Sequence, residues 1–483
     1  MDNNQITSSS MLRESLRVLV VIASYGSQND CYLQRIIEEY RSMPYRIRII
    51  VVSNIPRSLG SDVEVRVGLP SKNPFSLPFA HKQVFAEQIL HHDLFIYSED
   101  DILITADNIE AFLEQSSVLP PHQVPGFLRI EKGSNEQIKY CDIHAGASWD
   151  PKSVIGIGGR TFAYLSNEHA ACYILTSKQL EIALYSGKFL VAPYEGRYRM
   201  LETAATDPYT QCGFKKMICV SDIKRSSVHH LPNKYFTRFG LPEHDLNLQI
   251  EELLRIHRAG NTCAPLIPAD VQLKGWQCLR DHYEPARAEI LSLISGTVRS
   301  VLSLGCGATE VALVQRGVRV TAVPLDPVGS AVAAAKGVEV VVGDLEAAAA
   351  QLHGRTFDCL LLINVLHLIK QPALTIRLLL QFIKEGGTVI AQSPYLAGVR
   401  FLRGWFVWKQ SAKVYQDAGV NLTSPALVRK WLRTSGLNPG TILYSSKSAA
   451  GPPERRYPAF LAPILSREFT FVAKLKDSPK PTK

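Results

Sequence analysis

The chain has 483 residues, of which 46% are hydrophobic and 20% are charged, and its formal net charge is +9. This length is about three times that of a typical domain, so at least two hydrophobic cores are expected. The cysteines number 9 and include no C-x-x-C pair, a usage that argues against a zinc module and against a disulfide framework.

The positive net charge favours anionic partners such as nucleotide diphosphates, acidic lipids or nucleic acid. The chain contains no recognisable nucleic-acid-binding module, so nucleic acid is not an expected partner. No apolar run approaches the roughly 18 residues of a membrane helix, and the first residues lack the pattern of a secretory signal. The sequence therefore predicts a cytoplasmic protein.

Short apolar runs in the N-terminal half are rich in β-branched residues, as in RVLVVIAS, RIRIIVVSN and DLFIYS. They alternate with helix-like stretches such as CYLQRIIEEYRSM. This order predicts parallel strands in βαβ units and therefore an open α/β domain over residues 15–255.

Three adjacent carboxylates, Glu99, Asp100 and Asp101, follow the third of these runs. Ligands of open α/β sheets bind outside the carboxyl ends of the strands. Glu99 and Asp101 can share one face of an extended chain while Asp100 points away, a spacing that suits Mn²⁺ or Mg²⁺ bridging to a diphosphate. The alternative interpretation is structural, with the acids capping the helix that follows.

This cluster and the strand before it resemble the acidic D-x-D-type motif of GT-A fold glycosyltransferases. In that family, the turn after the first strand contacts the nucleotide, here through Ser24, and the second strand ends in a polar residue near the base or ribose, here Asn54. The resemblance covers roughly residues 15–240. It implies a nucleotide-sugar donor, a saccharide or glycolipid acceptor and a Mn²⁺ or Mg²⁺ ion held by Glu99 and Asp101.

Two later segments extend this resemblance. Glu202 and Asp207 fall where such enzymes carry an acceptor-binding or base carboxylate, which would take the proton from an attacking sugar hydroxyl. His229 and His230 fall where many GT-A enzymes bring in a histidine as an additional metal ligand. For a single histidine, packing or hydrogen bonding remains the competing interpretation.

The composition changes after residues 256–275, which lose periodicity, contain prolines and glycines and predict a linker. Residues 276–475 are rich in Ala, Leu, Val and Gly and alternate strand-like and helix-like runs. The whole chain is therefore expected to consist of two doubly wound α/β domains.

A glycine pair, Gly305 and Gly307, follows the strand SVLSL directly and precedes a helix. Such glycines let the backbone approach a ligand closely, next to the free N–H groups of a helix N-terminus. The region resembles motif I of class I S-adenosylmethionine-dependent methyltransferases, which have a Rossmann-like fold. The resemblance places Asp344 where an acid meets the adenine amine of S-adenosylmethionine.

Three positions depart from that family. An acid is usual at Ser303, a glycine at Thr309, and an acid that holds the ribose hydroxyls at Pro324. Asp326 lies two residues after Pro324 and would serve the ribose only with a shifted turn. An active methyltransferase domain and a degenerate, non-catalytic one both remain open.

The combined prediction is a bifunctional enzyme of polysaccharide assembly that transfers a sugar and methylates a saccharide hydroxyl. Two alternatives are a glycosyltransferase with a non-catalytic second domain and a methyltransferase whose N-terminal domain recruits the substrate. The aromatic and basic segment FLRGWFVWKQ (401–410) fits either peripheral contact with a membrane or a partly buried rim of the active site.

Overall fold

The computed structural model describes residues 15–144, 147–260, 285–397, 420–445 and 466–475. The chain divides into two compact units, an N-terminal unit of Met1–Ala147 and Ser153–Ala259 and a C-terminal unit of Ser148–Lys152 and Gly260–Lys483. Residues 256–259 of the predicted linker belong to a helix that ends at Ala259, and residues 261–275 lie outside the described ranges, as does the segment 401–410.

The strands up to residue 242 are numbered in chain order. They are β1 (Arg17–Ser24), β2 (Arg46–Ser53), β3 (Val63–Val67), β4 (Leu94–Glu99), β5 (Ile102–Leu103), β6 (Gln123–Pro125), β7 (Leu128–Lys132), β8 (Ile138–Tyr140), β9 (Trp149–Ile157), β10 (Arg160–Leu165), β11 (Cys172–Thr176), β12 (Lys215–Cys219), β13 (Ser227–His230) and β14 (Leu241–Pro242).

The helices of this part are amphipathic or cover the sheet faces. They are α1 (Asp30–Ser42), α2 (Ala80–Gln88), α3 (Ala106–Ser116), α4 (Ser177–Tyr185), α5 (Met200–Thr210) and α6 (Glu243–Ala259), with a 3₁₀ helix at Pro74–Phe79.

The central sheet of the N-terminal unit has the order β11-β4-β1-β2-β3. Strands β1 to β4 run parallel and β11 runs antiparallel to β4. The runs of Val and Ile in β1, β2 and β4 are buried on both faces, as expected for strands covered by helices on both sides. The carboxyl ends of β1, β2 and β4 therefore lie along one edge, which confirms the α/β prediction for this unit.

Two smaller sheets complete the first part of the chain, with orders β14-β8-β7-β13-β5 and β6-β12-β10-β9. Strand β5 begins directly after the three carboxylates and pairs with β13, where His230 lies opposite Ile102. The acidic cluster thus links the central sheet to the β5–β13 pair.

The described residues of the C-terminal unit form seven strands and six short α-helices. These elements are β15 (Ser300–Leu304), β16 (Arg319–Val323), β17 (Glu339–Val340), β18 (Phe357–Ile363), β19 (Ile383–Pro394), β20 (Leu437–Ser445), β21 (Glu468–Leu475), α7 (Ala288–Leu293), α8 (Ala308–Gln315), α9 (Ser330–Ala335), α10 (Leu345–Gln351), α11 (Pro372–Leu380) and α12 (Pro425–Thr434).

Its sheet has the order β17-β16-β15-β18-β19-β21-β20, in which β21 runs antiparallel to its neighbours. The order reverses direction at β15, which lies between β16 and β18 and pairs in parallel with both. This is the doubly wound arrangement that the sequence predicts, with the ligand edge at the carboxyl ends of β15 and β18. No helix in the described parts of the chain is long and apolar enough to cross a membrane.

Candidate active sites of the two units

A cavity of about 710 Å³ opens at the carboxyl edge of the central sheet in the N-terminal unit. Its lining combines carboxylates, imidazoles and aromatic rings. The polar side chains used in the argument below are Glu99, Asp101, Arg129, His169, Glu202 and His230. Of the predicted site residues, the structure thus brings Glu99, Asp101, Glu202 and His230 to one cavity.

Glu99 is the last residue of β4, and its N–H donates to the carbonyl oxygen of Ala171 at 3.0 Å. Within the described residues, its buried Oε1 has no hydrogen-bond partner. Burial, and next the negative charge of Asp101, raise the pKa of the Glu99 carboxyl well above its usual range. Such a group is stabilised by a ligand that brings a positive charge or a donor.

Asp100 points toward the turn after β1, as the alternation of an extended chain requires. Its two oxygens accept from Ser24 Oγ at 2.6 Å and Asn29 Nδ2 at 2.7 Å, and burial raises its pKa to about 6. Asn54 Oδ1 accepts from the N–H of Gly26 at 2.7 Å. Ser24, which is fully buried, and Asn54 therefore both hold the turn for which the sequence predicts nucleotide contact.

Asp101 lies beside His230, with Oδ2 at 3.3 Å from Nε2. Burial alone would raise the pKa of Asp101, but the hydrogen bond and charge of His230, with the charges of Lys234 and Arg129, lower it. The other ring nitrogen of His230, Nδ1, donates to Oε1 of Glu131. Glu131 is fully buried and its Oε2 accepts from the N–H of Tyr235 at 2.8 Å, so the imidazole is held in one orientation.

His229 precedes His230 on β13 and points to the opposite face of the strand, as successive strand residues do. Its Nε2 bonds Oδ1 of Asn233 at 3.1 Å, and it is not among the cavity-lining side chains. The structure therefore brings only one of the two predicted histidines to the cavity.

Glu202 and Asp207 lie on the same helix, α5, in different surroundings. Glu202 lines the cavity, burial raises its pKa, and its Oε2 accepts from the N–H of Arg199 at 3.0 Å. Asp207 is fully buried, forms an ion pair with Lys82 and accepts from Tyr194 Oη at 2.6 Å. Because both oxygens of Asp207 are bound by protein groups and the side chain is not in the cavity lining, the structure separates it from Glu202.

Three cavity or supporting residues were missed by the sequence analysis: Arg129, Glu131 and His169. Arg129 donates to Asp142 at 2.7 Å, which fixes its guanidinium in the cavity wall. A signal was available for the first two, since "LRIEK" places an arginine and a glutamate two residues apart in an otherwise strand-like segment. His169 carries no such local signal.

The side chains at this site are chemically suited to bind a divalent cation. The unpartnered oxygens of Glu99 and Asp101 are buried carboxylate acceptors, and Nε2 of His230 faces Asp101. These are the ligand types that Mn²⁺ accepts, and the Glu131–His230 contact is of the kind that orients a ligating imidazole. Even so, the described ranges contain no group of three or more His, Cys, Asp or Glu residues already arranged to hold a metal ion.

In the C-terminal unit, Gly305 and Gly307 form the turn between β15 and α8. Gly305 has φ of 94°, a left-handed conformation that favours glycine, and its N–H donates to Val323 O at 2.7 Å. Ser303, where the family has an acid, donates to Glu310 Oε1 at 2.7 Å. The helix thus supplies a carboxylate next to the position at which the strand lacks one.

The predicted acids Asp326 and Asp344 both bind local backbone groups. Oδ1 of Asp326 accepts from the N–H of Val328 at 2.9 Å, and burial raises the pKa of Asp326 to about 6. Asp344 caps α10 by accepting from the N–H of Ala347 at 2.8 Å. Each carboxylate therefore stabilises a turn near the predicted cofactor edge.

A buried polar cluster occupies the carboxyl edge of the C-terminal sheet. Arg287 Nη1 donates to Glu468 Oε2 at 2.7 Å, and Glu468 also accepts from Asn364 Nδ2 at 3.1 Å and Gln392 Nε2 at 3.0 Å. Because a carboxylate can only accept, both amides must turn their oxygens away from Glu468.

Those two amide oxygens, Asn364 Oδ1 and Gln392 Oε1, are buried and have no partner among the residues that the structure describes. Asn364 also has φ of 46°, a left-handed conformation that is uncommon for a residue other than glycine. Unpartnered acceptors at the ligand edge fit a molecule with N–H or O–H donors, a property of the ammonium group and ribose of S-adenosylmethionine.

Comparison with known proteins yields a family match and similar solved structures. A family model described as a methyltransferase domain matches residues 279–440. The chain is similar to a SAM-dependent methyltransferase of Thermotoga maritima, a possible histamine N-methyltransferase, with 16% identity and a TM-score of 0.30, covering 39% of this chain and 87% of that one.

The chain is also similar to a SAM-dependent methyltransferase of Methanosarcina mazei, with 13% identity and a TM-score of 0.32, covering 40% of this chain and 100% of that one. A third similar structure is the N-methyltransferase NodS of Bradyrhizobium japonicum in complex with S-adenosyl-L-homocysteine. The identity is 16% and the TM-score is 0.27, and the match covers 39% of this chain and 83% of that one. No curated protein matches the chain. The family match lies within the C-terminal unit, in the region where the sequence predicts a methyltransferase-like domain.

Proposed function

We propose that the N-terminal unit transfers a sugar from a nucleotide sugar to a hydroxyl of a saccharide or glycolipid, and that the C-terminal unit methylates a saccharide hydroxyl. The observation that carries the first activity is the cavity at the carboxyl edge of the parallel strands, with buried, unpartnered carboxylate oxygens on Glu99 and Asp101. An anionic nucleotide diphosphate also agrees with the net positive charge of the chain.

Mn²⁺ or Mg²⁺ would be held in this cavity by Glu99, Asp101 and His230. When bound, the ion supplies positive charge that stabilises the diphosphate leaving group. The protein's own contribution is to place the two carboxylates in one cavity wall and to hold His230 in a fixed orientation through Glu131. Glu202, on the same cavity wall, would bind an acceptor hydroxyl.

The second activity is supported by the family match and by the glycine turn at Gly305 and Gly307. S-adenosylmethionine would lie along this turn, with its donors toward Asn364 and Gln392. The cofactor supplies an electrophilic methyl group, and the protein's task is to position the acceptor hydroxyl against it.

Titration calorimetry on the full chain tests both activities. We expect one nucleotide sugar from a panel of UDP- and GDP-sugars to bind in the presence of Mn²⁺ and to lose affinity in its absence, while S-adenosylmethionine binds independently. A control variant, Asp107→Asn on the exposed first turn of α3, should bind as the unchanged protein does. Failure of every nucleotide sugar to bind with Mn²⁺ would refute the first activity.

A second candidate keeps only the sugar transfer, with the methyltransferase-like unit as a non-catalytic module. Pro324 favours it, because proline stands where the family has a ribose-binding acid, and the nearby Asp326 binds its own turn. Absence of S-adenosylmethionine binding in the same titration would select this candidate and leave the first activity untouched.

A further inference from the structure

Lys234 brings a positive charge into the lining of the cavity that contains Glu99 and Asp101. Its Nζ lies 3.9 Å from Oδ2 of Asp101 and 5.1 Å from the ring centroid of Tyr235, and 51% of its side chain is exposed. The distance to Asp101 is longer than a hydrogen bond. The ammonium group is therefore an accessible, loosely held cation beside a carboxylate that is almost fully buried.

The turn that carries Lys234 is anchored to β7 on both sides of this residue. Oδ1 of Asn233 accepts from the N–H of Lys132 at 2.8 Å, and the N–H of Tyr235 donates to Oε2 of Glu131 at 2.8 Å. Asn233 has φ of 51°, a left-handed conformation that is uncommon for a residue other than glycine. The main chain at Lys234 is thus fixed, while its long side chain can still change rotamer.

Arg129 and Lys234 are the two cavity-lining residues with a permanent positive charge among those that the structure describes. The charge of Arg129 is already used within the protein, because its Nε and its backbone N–H both donate to the carboxylate of Asp142 at 2.7 Å. Only 12% of the Arg129 side chain is exposed. Lys234 is therefore the lining cation that can move onto a ligand.

The negative charge of Asp101 opposes the entry of a diphosphate. Burial alone would raise the pKa of Asp101, but His230, Lys234 and Arg129 lower it, so this carboxylate is ionised at neutral pH. A divalent ion held by Asp101 would repel the nearby ammonium group, since like charges repel. A diphosphate offers that ammonium group a new anion, and lysine binds phosphate as a point charge without a fixed bidentate geometry.

We propose that Lys234 holds the place of a cation beside Asp101 until a divalent ion binds there, and that it then binds the diphosphate of the nucleotide sugar, an inference that rests on the proposed function. The ammonium group competes with the metal ion for Asp101 but acts together with it on the diphosphate. Loss of the Lys234 charge should therefore favour binding of the metal ion and disfavour binding of the donor.

The test compares the full chain with Lys234→Met, which keeps most of the side-chain length. Electron paramagnetic resonance gives the Kd of Mn²⁺ alone. Calorimetry at saturating Mn²⁺ gives the Kd of UDP-glucose, UDP-galactose, UDP-N-acetylglucosamine and GDP-mannose. We expect Lys234→Met to bind Mn²⁺ about 2–5-fold more tightly, as for loss of a partly exposed competing charge. It should bind the donor about 10-fold more weakly, as for loss of a contact to a charged group.

Two further variants keep the outcome interpretable. Lys234→Arg retains the positive charge and should bind Mn²⁺ and the donor as the unchanged protein does. Lys132→Met removes the same charge from an exposed residue at the end of β7 that does not line the cavity, and it should leave both constants unchanged. A purely structural role of Lys234 would weaken the binding of both ligands, whereas the proposal expects opposite changes.

Mn²⁺ binding by Lys234→Met that is no tighter than that of the unchanged protein would show that Lys234 does not hold the place of a cation. Unchanged donor affinity would show that Lys234 does not bind the diphosphate. Either result overturns the inference while the proposed function stands. If the unchanged protein binds no donor of the panel in the presence of Mn²⁺, the proposed function fails, and the assignment of Lys234 fails with it.

Discussion

The carboxyl edges of the two large sheets differ in the kind of group they leave without a partner. Among the residues that the structure describes, the unpartnered atoms of the N-terminal unit include carboxylate oxygens of Glu99 and Asp101, whereas those of the C-terminal unit include neutral amide oxygens of Asn364 and Gln392. The charges at the second edge are neutralised internally, since Arg287 pairs with Glu468.

This difference indicates which ligands each edge can take, although both edges are built on parallel strands. Carboxylates with unpartnered oxygens attract cations and, through them, phosphates. Neutral carbonyl acceptors select hydroxyl or amino donors without a requirement for charge. The groups left unpartnered thus carry more information about the ligand than the shared architecture does.

The largest effect should come from breaking the ion pair between Arg287 and Glu468 at the carboxyl edge of the C-terminal sheet. Arg287→Met leaves the buried carboxylate of Glu468 without its cation, and we expect the C-terminal unit to lose about 3–5 kcal/mol of stability. Hydrogen–deuterium exchange of β19 and β21 reports this unit separately. Arg287→Met with Glu468→Met should regain most of the loss, and the exposed Arg319→Met should change nothing. If β19 and β21 exchange at the same rate in Arg287→Met as in the unchanged protein, the Arg287–Glu468 ion pair does not stabilise this unit.

Removing the carboxylate charges at the cavity of the N-terminal unit should affect turnover strongly and stability little. In Glu99→Gln with Asp101→Asn, both side chains keep their shape, and we expect nucleotide-sugar turnover to fall by about 10²–10³-fold. Thermal unfolding should be unchanged or slightly raised, because the two repelling carboxylates are gone. A variant that retains turnover would show that these acids serve only the fold.

The orientation of His230 can be tested through Glu131. Glu131→Gln replaces the carboxylate that accepts from Nδ1 of His230 by a neutral amide, which no longer fixes the tautomer and orientation of the ring. Mn²⁺ affinity, measured by electron paramagnetic resonance, should fall by about 10–100-fold. Glu136→Gln, at an exposed position, serves as control. Unchanged affinity would mean that His230 only bridges two carboxylates.

The smallest expected effect concerns how the stability of the C-terminal unit depends on pH through Asp326. The folded pKa of Asp326 is about 6, above the value of about 3.9 for an unfolded aspartate, so ionisation opposes folding. The unfavourable contribution is absent below about pH 4, grows as the pH rises and is complete above about pH 6.

Asp326→Asn retains an acceptor for the N–H of Val328 and should raise the stability of the C-terminal unit at pH 8 by about 1 kcal/mol, a value reduced for the partial exposure of the side chain. At pH 4 the variant and the unchanged protein should have equal stability. Guanidinium unfolding at the two pH values measures this, and a gain that is the same at both would exclude ionisation as its cause.

The fold was largely predictable because its signals are local. Runs such as RVLVVIAS and SVLSL form β1 and β15 where the pattern places them, and the turn at Gly305 follows from residue type alone. The partners of site residues were less predictable. Glu131 meets His230 only because β7 pairs with β13, and Asp207 meets Lys82 from a different helix. Such contacts depend on strand pairing and packing, which residue spacing does not encode.

The hydrogen bond from Glu99 to Ala171 has a practical consequence for engineering the acceptor preference. It joins β4 to β11 at the point where both strands reach the cavity, so a register shift in either strand would displace a carboxylate and an imidazole together. A loop graft before β11 should therefore keep everything from Ala171 onward. Grafts that cross Ala171 are expected to abolish donor binding as well as acceptor choice.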